Sequence, residues 1–125
     1  MTVISEKTVL VVEDEEDIRF LLKAVLESEG YQVTEATTGK DAVRIAAEAA
    51  PELILMDISL PLLDGLSATR QIRAEEALRE VPIIAVSAYH TARRRAIRAG
   101  CSDLIGKPID VEELKAAVRQ AIGQA

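Results

Sequence analysis

Five short runs rich in Val, Ile and Leu recur along the chain, at residues 8–12, 31–36, 52–56, 82–86 and, most weakly, 103–106. Each is close to continuously apolar instead of alternating, which marks strands covered on both faces, as in parallel sheets. Segments with helical periodicity separate them. Ile18, Leu21, Leu22, Val25 and Leu26 fall at i, i+3, i+4, i+7 and i+8, an amphipathic helix that Gly30 stops. Val43, Ala46, Ala47 and Ala50 predict a second helix ended by Pro51, and Leu66, Thr69, Ile72 and Arg73 a third. Ala92, Ala96, Ile97 and Ala99 predict a fourth, ended by Gly100, and Val111, Leu114, Val118, Ala121 and Ile122 a fifth. Strand and helix alternate five times, a (βα)5 pattern.

Right-handed crossovers then predict an α/β fold, a doubly wound five-stranded parallel sheet in the flavodoxin-like order 2-1-3-4-5. The connections are too short for a second domain, so residues 1–125 are expected to form one domain with its core at about 7–122. A chain of this length buries roughly two-thirds of its unfolded surface without disulfides or a structural metal. The single cysteine, Cys101, excludes an intrachain disulfide and a cysteine-rich zinc site. Phe20, Tyr31 and Tyr89 are the only aromatics, too few for a base-stacking platform, and a net charge of −6 opposes binding to a phosphate backbone. No nucleic-acid or membrane partner is expected. Apolar runs stay well short of the ~18 residues that cross a bilayer, and the N-terminus lacks a signal-peptide core, so the cytoplasm is the expected location. The charge is uneven: residues 1–64 carry 14 acids and 5 bases, residues 65–125 carry 7 acids and 10 bases.

In sheets of this kind ligands bind beyond the C-terminal ends of the strands. The first strand ends in Glu13-Asp14, the third in Asp57, the fourth in Ser87 and the fifth in Lys107. The first and third strands are neighbours in the expected order, so three carboxylates converge in one pocket. Their mutual repulsion calls for a cation, and an oxygen-only ligand set without His or Cys suits Mg²⁺ over Zn²⁺. Asp57 follows the buried run Leu53-Ile54-Leu55-Met56, where a nucleophile is rigidly held yet accessible. A carboxylate beside Mg²⁺ can attack a phosphoryl group, with Lys107 supplying a point charge and Ser87 a hydroxyl donor to the phosphoryl oxygens. Glu13 and Asp14 also lie where a helix N-terminus favours acids, so Asp14 is expected both to cap that helix and to ligate metal.

The set Val12-Glu13-Asp14, Leu55-Met56-Asp57, Leu60-Pro61-Leu62-Leu63-Asp64-Gly65, Ser87-Ala88 and Lys107-Pro108 resembles the receiver domain of two-component response regulators. Each fragment alone is weak; five in order, each at a strand end, are specific. The resemblance runs from Lys7 to Ile122, and the chain is similar to the stand-alone single-domain regulators of chemotaxis and the cell cycle. It implies phosphorelay signalling: Mg²⁺-dependent transfer of a phosphoryl group to Asp57 from a histidine kinase or histidine phosphotransfer protein, altering affinity for a downstream target protein. It implies no enzyme beyond the domain's own phosphorylation and dephosphorylation, and a monomer or weak dimer. Glu13, Asp14, Asp57 and the backbone carbonyl of Ser59 are the implied metal ligands, and Lys107–Pro108 the implied cis peptide bond. With the receiver filling the chain, output is expected to pass through another protein.

The chain departs from the family at Leu104, where an aromatic side chain that turns inward on activation is usual, and at Ile109, where Phe is frequent. Response through the backbone of the loop at residues 88–91 is expected instead. The resemblance implies that Tyr89 and Ser59 hold positions that tune how water reaches the acyl phosphate, with a bulky Tyr89 slowing hydrolysis; the alternative for Tyr89 is a partly exposed ring. Gly65 and Pro61 are read as structural, His90 as a surface residue and Cys101 as a half-buried side chain. Arg93, Arg94, Arg95 and Arg98 make the fourth helix basic, either a solvated face or a docking surface for an acidic partner. Phe20, opposite the apolar stripe of the first helix, either meets a kinase helix bundle or packs on the fifth helix. A flavin mononucleotide module is opposed by the five acids Glu13 to Asp17, which would repel phosphate. An aspartyl phosphohydrolase is opposed by Ser59 where a second Asp is needed. The remaining alternative is a receiver-like interaction module not regulated by phosphorylation.

Overall fold

A computed structural model of the chain describes residues 7–59 and 64–123. Five strands, β1 (Thr8–Val12), β2 (Gln32–Ala36), β3 (Leu53–Asp57), β4 (Ile83–Ser87) and β5 (Asp103–Gly106), alternate with five helices. These are α1 (Glu16–Ser28), α2 (Gly39–Ala49), α3 (Gly65–Ala74), α4 (Arg93–Ala99) and α5 (Val111–Ile122). All neighbouring strands are parallel, in the order β2-β1-β3-β4-β5. The register sets Val12 beside both Ala36 and Met56, Asp57 beside Val86, and Ser87 beside Gly106. One rim of the sheet therefore collects Glu13, Asp57, Ser87 and Lys107.

The continuous apolar runs have a direct cause: alternate residues of each strand serve different cores. Leu10, Val12, Ile54, Met56, Ile83 and Ala85 face α2, α3 and α4, where Ala42, Ala46, Ala68, Ile72 and Ala96 receive them. Val9, Val11, Leu53, Leu55, Ile84 and Val86 face α1 and α5 through Leu22, Leu26, Leu114 and Val118. Three helices start on side-chain caps. Thr38 Oγ1, Asp64 Oδ1 and Asp110 Oδ1 accept the N–H groups of Asp41, Ser67 and Glu113 at 3.1, 2.8 and 3.0 Å. Each cap stabilises its helix by about 1 kcal/mol.

Some expected core positions lie elsewhere. Ile97 is 45% exposed, because α4 buries only Ala96 and Ala99, and Ile97 is turned about 100° from Ala96. Leu21 sits at the edge of the buried stripe of α1, and Phe20 is 73% exposed, which excludes packing on α5. Arg73 does not extend the apolar face of α3. Its Nε donates to the Gly100 carbonyl and its Nη1 to the Leu78 carbonyl, both at 2.9 Å, tying α3 to the C-terminal end of α4.

Candidate functional site

Asp57 is the last residue of β3 and is nearly inaccessible, as is Glu13, the first residue beyond β1. The Ser59 N–H and hydroxyl both donate to Asp57 Oδ1, at 2.9 and 2.8 Å. Asp57 Oδ2 faces the Lys107 ammonium at 3.4 Å. Glu13 Oε2 accepts the Glu15 N–H at 3.1 Å. Glu13 Oε1 lies 3.1 Å from Lys107 Nζ as an ion pair but accepts no aligned hydrogen bond, leaving a buried carboxylate oxygen short of donors. Asp14 is exposed at the mouth, and one oxygen from each of Glu13, Asp14 and Asp57 lies within 4.8 Å of the others.

Two buried carboxylates thus share one lysine, with a third at the mouth. Burial, followed by the charge of Asp57, pushes the Glu13 carboxyl up from 4.5 to about 7, although the Glu15 N–H and Lys107 pull it back. Burial alone would lower the Lys107 ammonium, but Asp57 and Glu13 more than offset that and hold it above its ordinary value. Such a pocket has surplus negative charge, oxygen donors only, and one oxygen without a proper partner. Those properties fit a hard divalent cation, with Mg²⁺ favoured by the small number of protein ligands.

The remaining predicted residues fall around this pocket. Ser87 ends β4 and is buried; its Oγ accepts the Tyr89 N–H at 3.0 Å, and its carbonyl accepts the Lys107 N–H at 2.9 Å. Its hydroxyl makes no hydrogen bond to Asp57. Ser59 enters through its amide and hydroxyl. The Lys107–Pro108 bond is cis. A Cβ on Gly65 would lie 2.3 Å from the Asp57 carbonyl oxygen and 2.5 Å from Ile58 Cα, so glycine is what allows α3 to start against the end of β3. Pro61 and the rest of 60–63 lie outside the described residues.

Asp14 does not cap α1. The cap position is Glu15, with no side-chain hydrogen bond, because the backbone bends one residue later than expected and Glu13 takes the nearby N–H. Arg19 escaped the sequence reading: its Nη1 donates to the Glu13 and Asp14 carbonyls at 3.1 and 3.4 Å, pinning the acidic loop from behind. Only its place four residues after the cap, facing back along the helix, pointed that way. Cys101 is fully buried, beyond the half-burial expected, and burial pushes its thiol up, away from nucleophilic chemistry. Leu104 is buried, Ile109 packs partly into the α1/α5 core, and Tyr89 and His90 are exposed. Among the described residues no helix is long and apolar enough to cross a membrane.

The sequence matches the response regulator receiver domain over residues 9–119. It is 36% identical over 121 residues to the polar-differentiation response regulator DivK of Brucella ovis, covering 95% of this chain and 98% of DivK. The fold is similar to the receiver domain of the sensor histidine kinase PA1611 of Pseudomonas aeruginosa, solved with a magnesium ion coordinated in its active-site cleft. The TM-score is 0.89 at 41% identity, covering 96% of this chain and 100% of that one. The receiver domain of NtrX from Brucella abortus gives 0.85 at 31% identity, with 94% and 99% covered.

Proposed function

The chain belongs to the response regulator receiver domain family, and from that premise we propose that Asp57 is its phosphoacceptor, fed by a histidine kinase or histidine phosphotransfer protein. The family is one of two-component signalling domains, not of ordinary enzymes. The observation that carries the assignment is the convergence of Glu13, Asp14 and Asp57 within 4.8 Å, with Lys107 against two of them. We further assign Glu13, Asp14, Asp57 and the Ser59 carbonyl as the ligands of Mg²⁺, like the ion described for the PA1611 receiver. When bound, the metal supplies positive charge to the transferring phosphoryl oxygens.

The chain's own residues then divide the work. An Asp57 carboxylate oxygen attacks phosphorus; the P–O bond forms as the P–N bond to the donor histidine breaks, and the imidazole nitrogen keeps that electron pair and takes a proton. Ser59 fixes the carboxylate through Oδ1, which restrains its rotation about the last side-chain bond. Lys107 stays charged at physiological pH and meets the developing oxyanion as a point charge. The Ser87 hydroxyl accepts from Tyr89 and still has a proton to donate to a phosphoryl oxygen. Occupation of that proton couples the pocket to the loop carrying Tyr89, and with Leu104 in place of an aromatic side chain the response runs through that backbone. Phosphorylation adds nearly two negative charges and changes affinity for a downstream protein. The reading includes autodephosphorylation, a cytoplasmic location and a monomer or weak dimer.

Incubation with acetyl phosphate and Mg²⁺ tests the proposal: intact mass should show one phosphoryl adduct on the wild type, none on Asp57→Asn and none with chelator. An adduct that survives Asp57→Asn would reject it.

A further inference from the structure

We propose that Arg19 is a positioning residue for Mg²⁺: it holds the loop carrying Glu13 and Asp14 in the conformation that accepts the metal, and so sets metal affinity through the backbone. The inference rests on the assignment of Glu13, Asp14 and Asp57 as metal ligands. Little else fixes the Asp14 end of that loop. Asp14 is exposed, and among the described residues its carboxylate takes no hydrogen bond and no ion pair. Its place within 4.8 Å of the Glu13 and Asp57 oxygens therefore follows from the backbone alone. Glu15, at the cap of α1, makes no side-chain hydrogen bond. Five acids in a row, Glu13 to Asp17, stand beside the buried Asp57, and their mutual repulsion favours an opened loop.

Arg19 opposes that opening from the far side. The Glu15 carbonyl begins α1 by accepting the Arg19 N–H at 2.9 Å. The two carbonyls before it, those of Glu13 and Asp14, accept from Nη1 of the same residue's side chain at 3.1 and 3.4 Å. Nε of that guanidinium lies 3.6 Å from Glu35 Oε1 on β2, and the next residue of β2, Ala36, accepts the Glu13 N–H at 3.0 Å. One planar group, on a side chain only 20% exposed, thus clamps two consecutive peptides of the acidic loop against the end of β2. Removing a group that orients metal ligands from outside the coordination sphere costs roughly 10- to 100-fold in metal affinity. The charge of Arg19 acts with the opposite sign. A cation beside the site repels Mg²⁺, so a purely electrostatic Arg19 would weaken binding and its removal would strengthen it. A positioning Arg19 does the reverse.

The test is a titration of Mg²⁺ into the full chain at constant ionic strength, followed by the amide resonances of Glu13, Asp14 and Asp57. Wild type is compared with Arg19→Met, Arg19→Lys and Lys23→Met. Lys23 pairs with the same Glu35 at 3.9 Å but, among the described residues, bonds to no carbonyl of the loop. Its loss removes one charge from the same helix face and should leave Mg²⁺ affinity within about twofold. Arg19→Met should weaken binding about tenfold. Arg19→Lys, which keeps a donor and the charge but not the planar fork, should fall between. Unfolded molecules lower the number of sites and not the half-saturating Mg²⁺, so a loss of stability does not imitate this result. With acetyl phosphate as donor, half-saturating Mg²⁺ should rise by the same factor in Arg19→Met, while the rate at saturating Mg²⁺ stays within about twofold of wild type. Unchanged or tighter Mg²⁺ binding by Arg19→Met would overturn the proposal, as would an equal loss in Lys23→Met. A wild-type chain that binds no Mg²⁺ at these residues would overturn the metal assignment itself, and the proposal with it.

Discussion

Replacing Glu13 by Gln, in the absence of metal, should make the folded chain more stable at neutral and alkaline pH. Glu13 is 1% exposed, and burial together with Asp57 raises its carboxyl from 4.5 to about 7. A carboxyl with a higher pKa folded than unfolded binds more protons in the folded state between the two values. Its effect on stability is therefore absent below about 4.5, grows as pH rises through the window, and is a full penalty above about 7. At about 1.4 kcal/mol per pH unit, that window corresponds to a penalty on the order of 3 kcal/mol. The glutamine side chain would keep an oxygen for the Glu15 N–H while carrying no charge to desolvate. Urea unfolding of both proteins in chelator, from about pH 5 to about pH 8.5, isolates the effect because every other titrating group is common to the two. The stability difference should open in favour of Glu13→Gln as pH rises and approach that figure at the alkaline end, with unchanged denaturant slopes. Millimolar Mg²⁺ should close most of the gap by stabilising only the wild type. Parallel curves for the two proteins across the range would refute the account of Glu13 as a desolvated, metal-seeking acid.

Other perturbations probe other parts of the account. Gly65→Ala places a methyl 2.3 Å from the Asp57 carbonyl and should cost about 2–3 kcal/mol in urea unfolding, with Mg²⁺ affinity measured by titration falling as well. Ala50 follows α2 with φ 45°, a left-handed conformation, so Ala50→Gly should raise stability by about 1 kcal/mol, read as a higher unfolding midpoint. Phe20→Ala should leave the unfolding midpoint unchanged because the ring is exposed. The same variant should slow phosphotransfer from a histidine phosphotransfer protein without altering phosphorylation by acetyl phosphate; equal slowing with both donors would remove Phe20 from the partner contact.

Much of this was readable from the chain because strand ends in a parallel sheet are set by the apolar run itself. Once Leu53 to Met56 are buried on both faces, Asp57 has nowhere to go but the rim, and the order of strands brings Glu13 to it. What escaped depends on dihedral angles and short-range competition. Whether Asp14 or Glu13 answers the first helical N–H groups turns on where the backbone bends, which periodicity does not encode. Nothing in the periodicity of α1 sets Arg19 apart, and only the fold aims it back at the carbonyls of Glu13 and Asp14. Ile97 fitted an apolar stripe on paper, but so short a helix, buried only through Ala96 and Ala99, needs only a narrow contact, so the isoleucine is left outside. Arg73 was placed correctly on α3 but in the wrong role, because its guanidinium reaches carbonyls from other elements.

The central claim is that a phosphoryl group resides on the carboxylate of Asp57 itself. Borohydride reduction reports this directly, since an aspartyl phosphate is reduced to homoserine while a free carboxylate is untouched. After treatment with acetyl phosphate and Mg²⁺, reduction and peptide mass spectrometry should place homoserine at position 57 and nowhere else. Homoserine at another acid, or an unreduced Asp57 in protein that has gained a phosphoryl mass, would contradict the account.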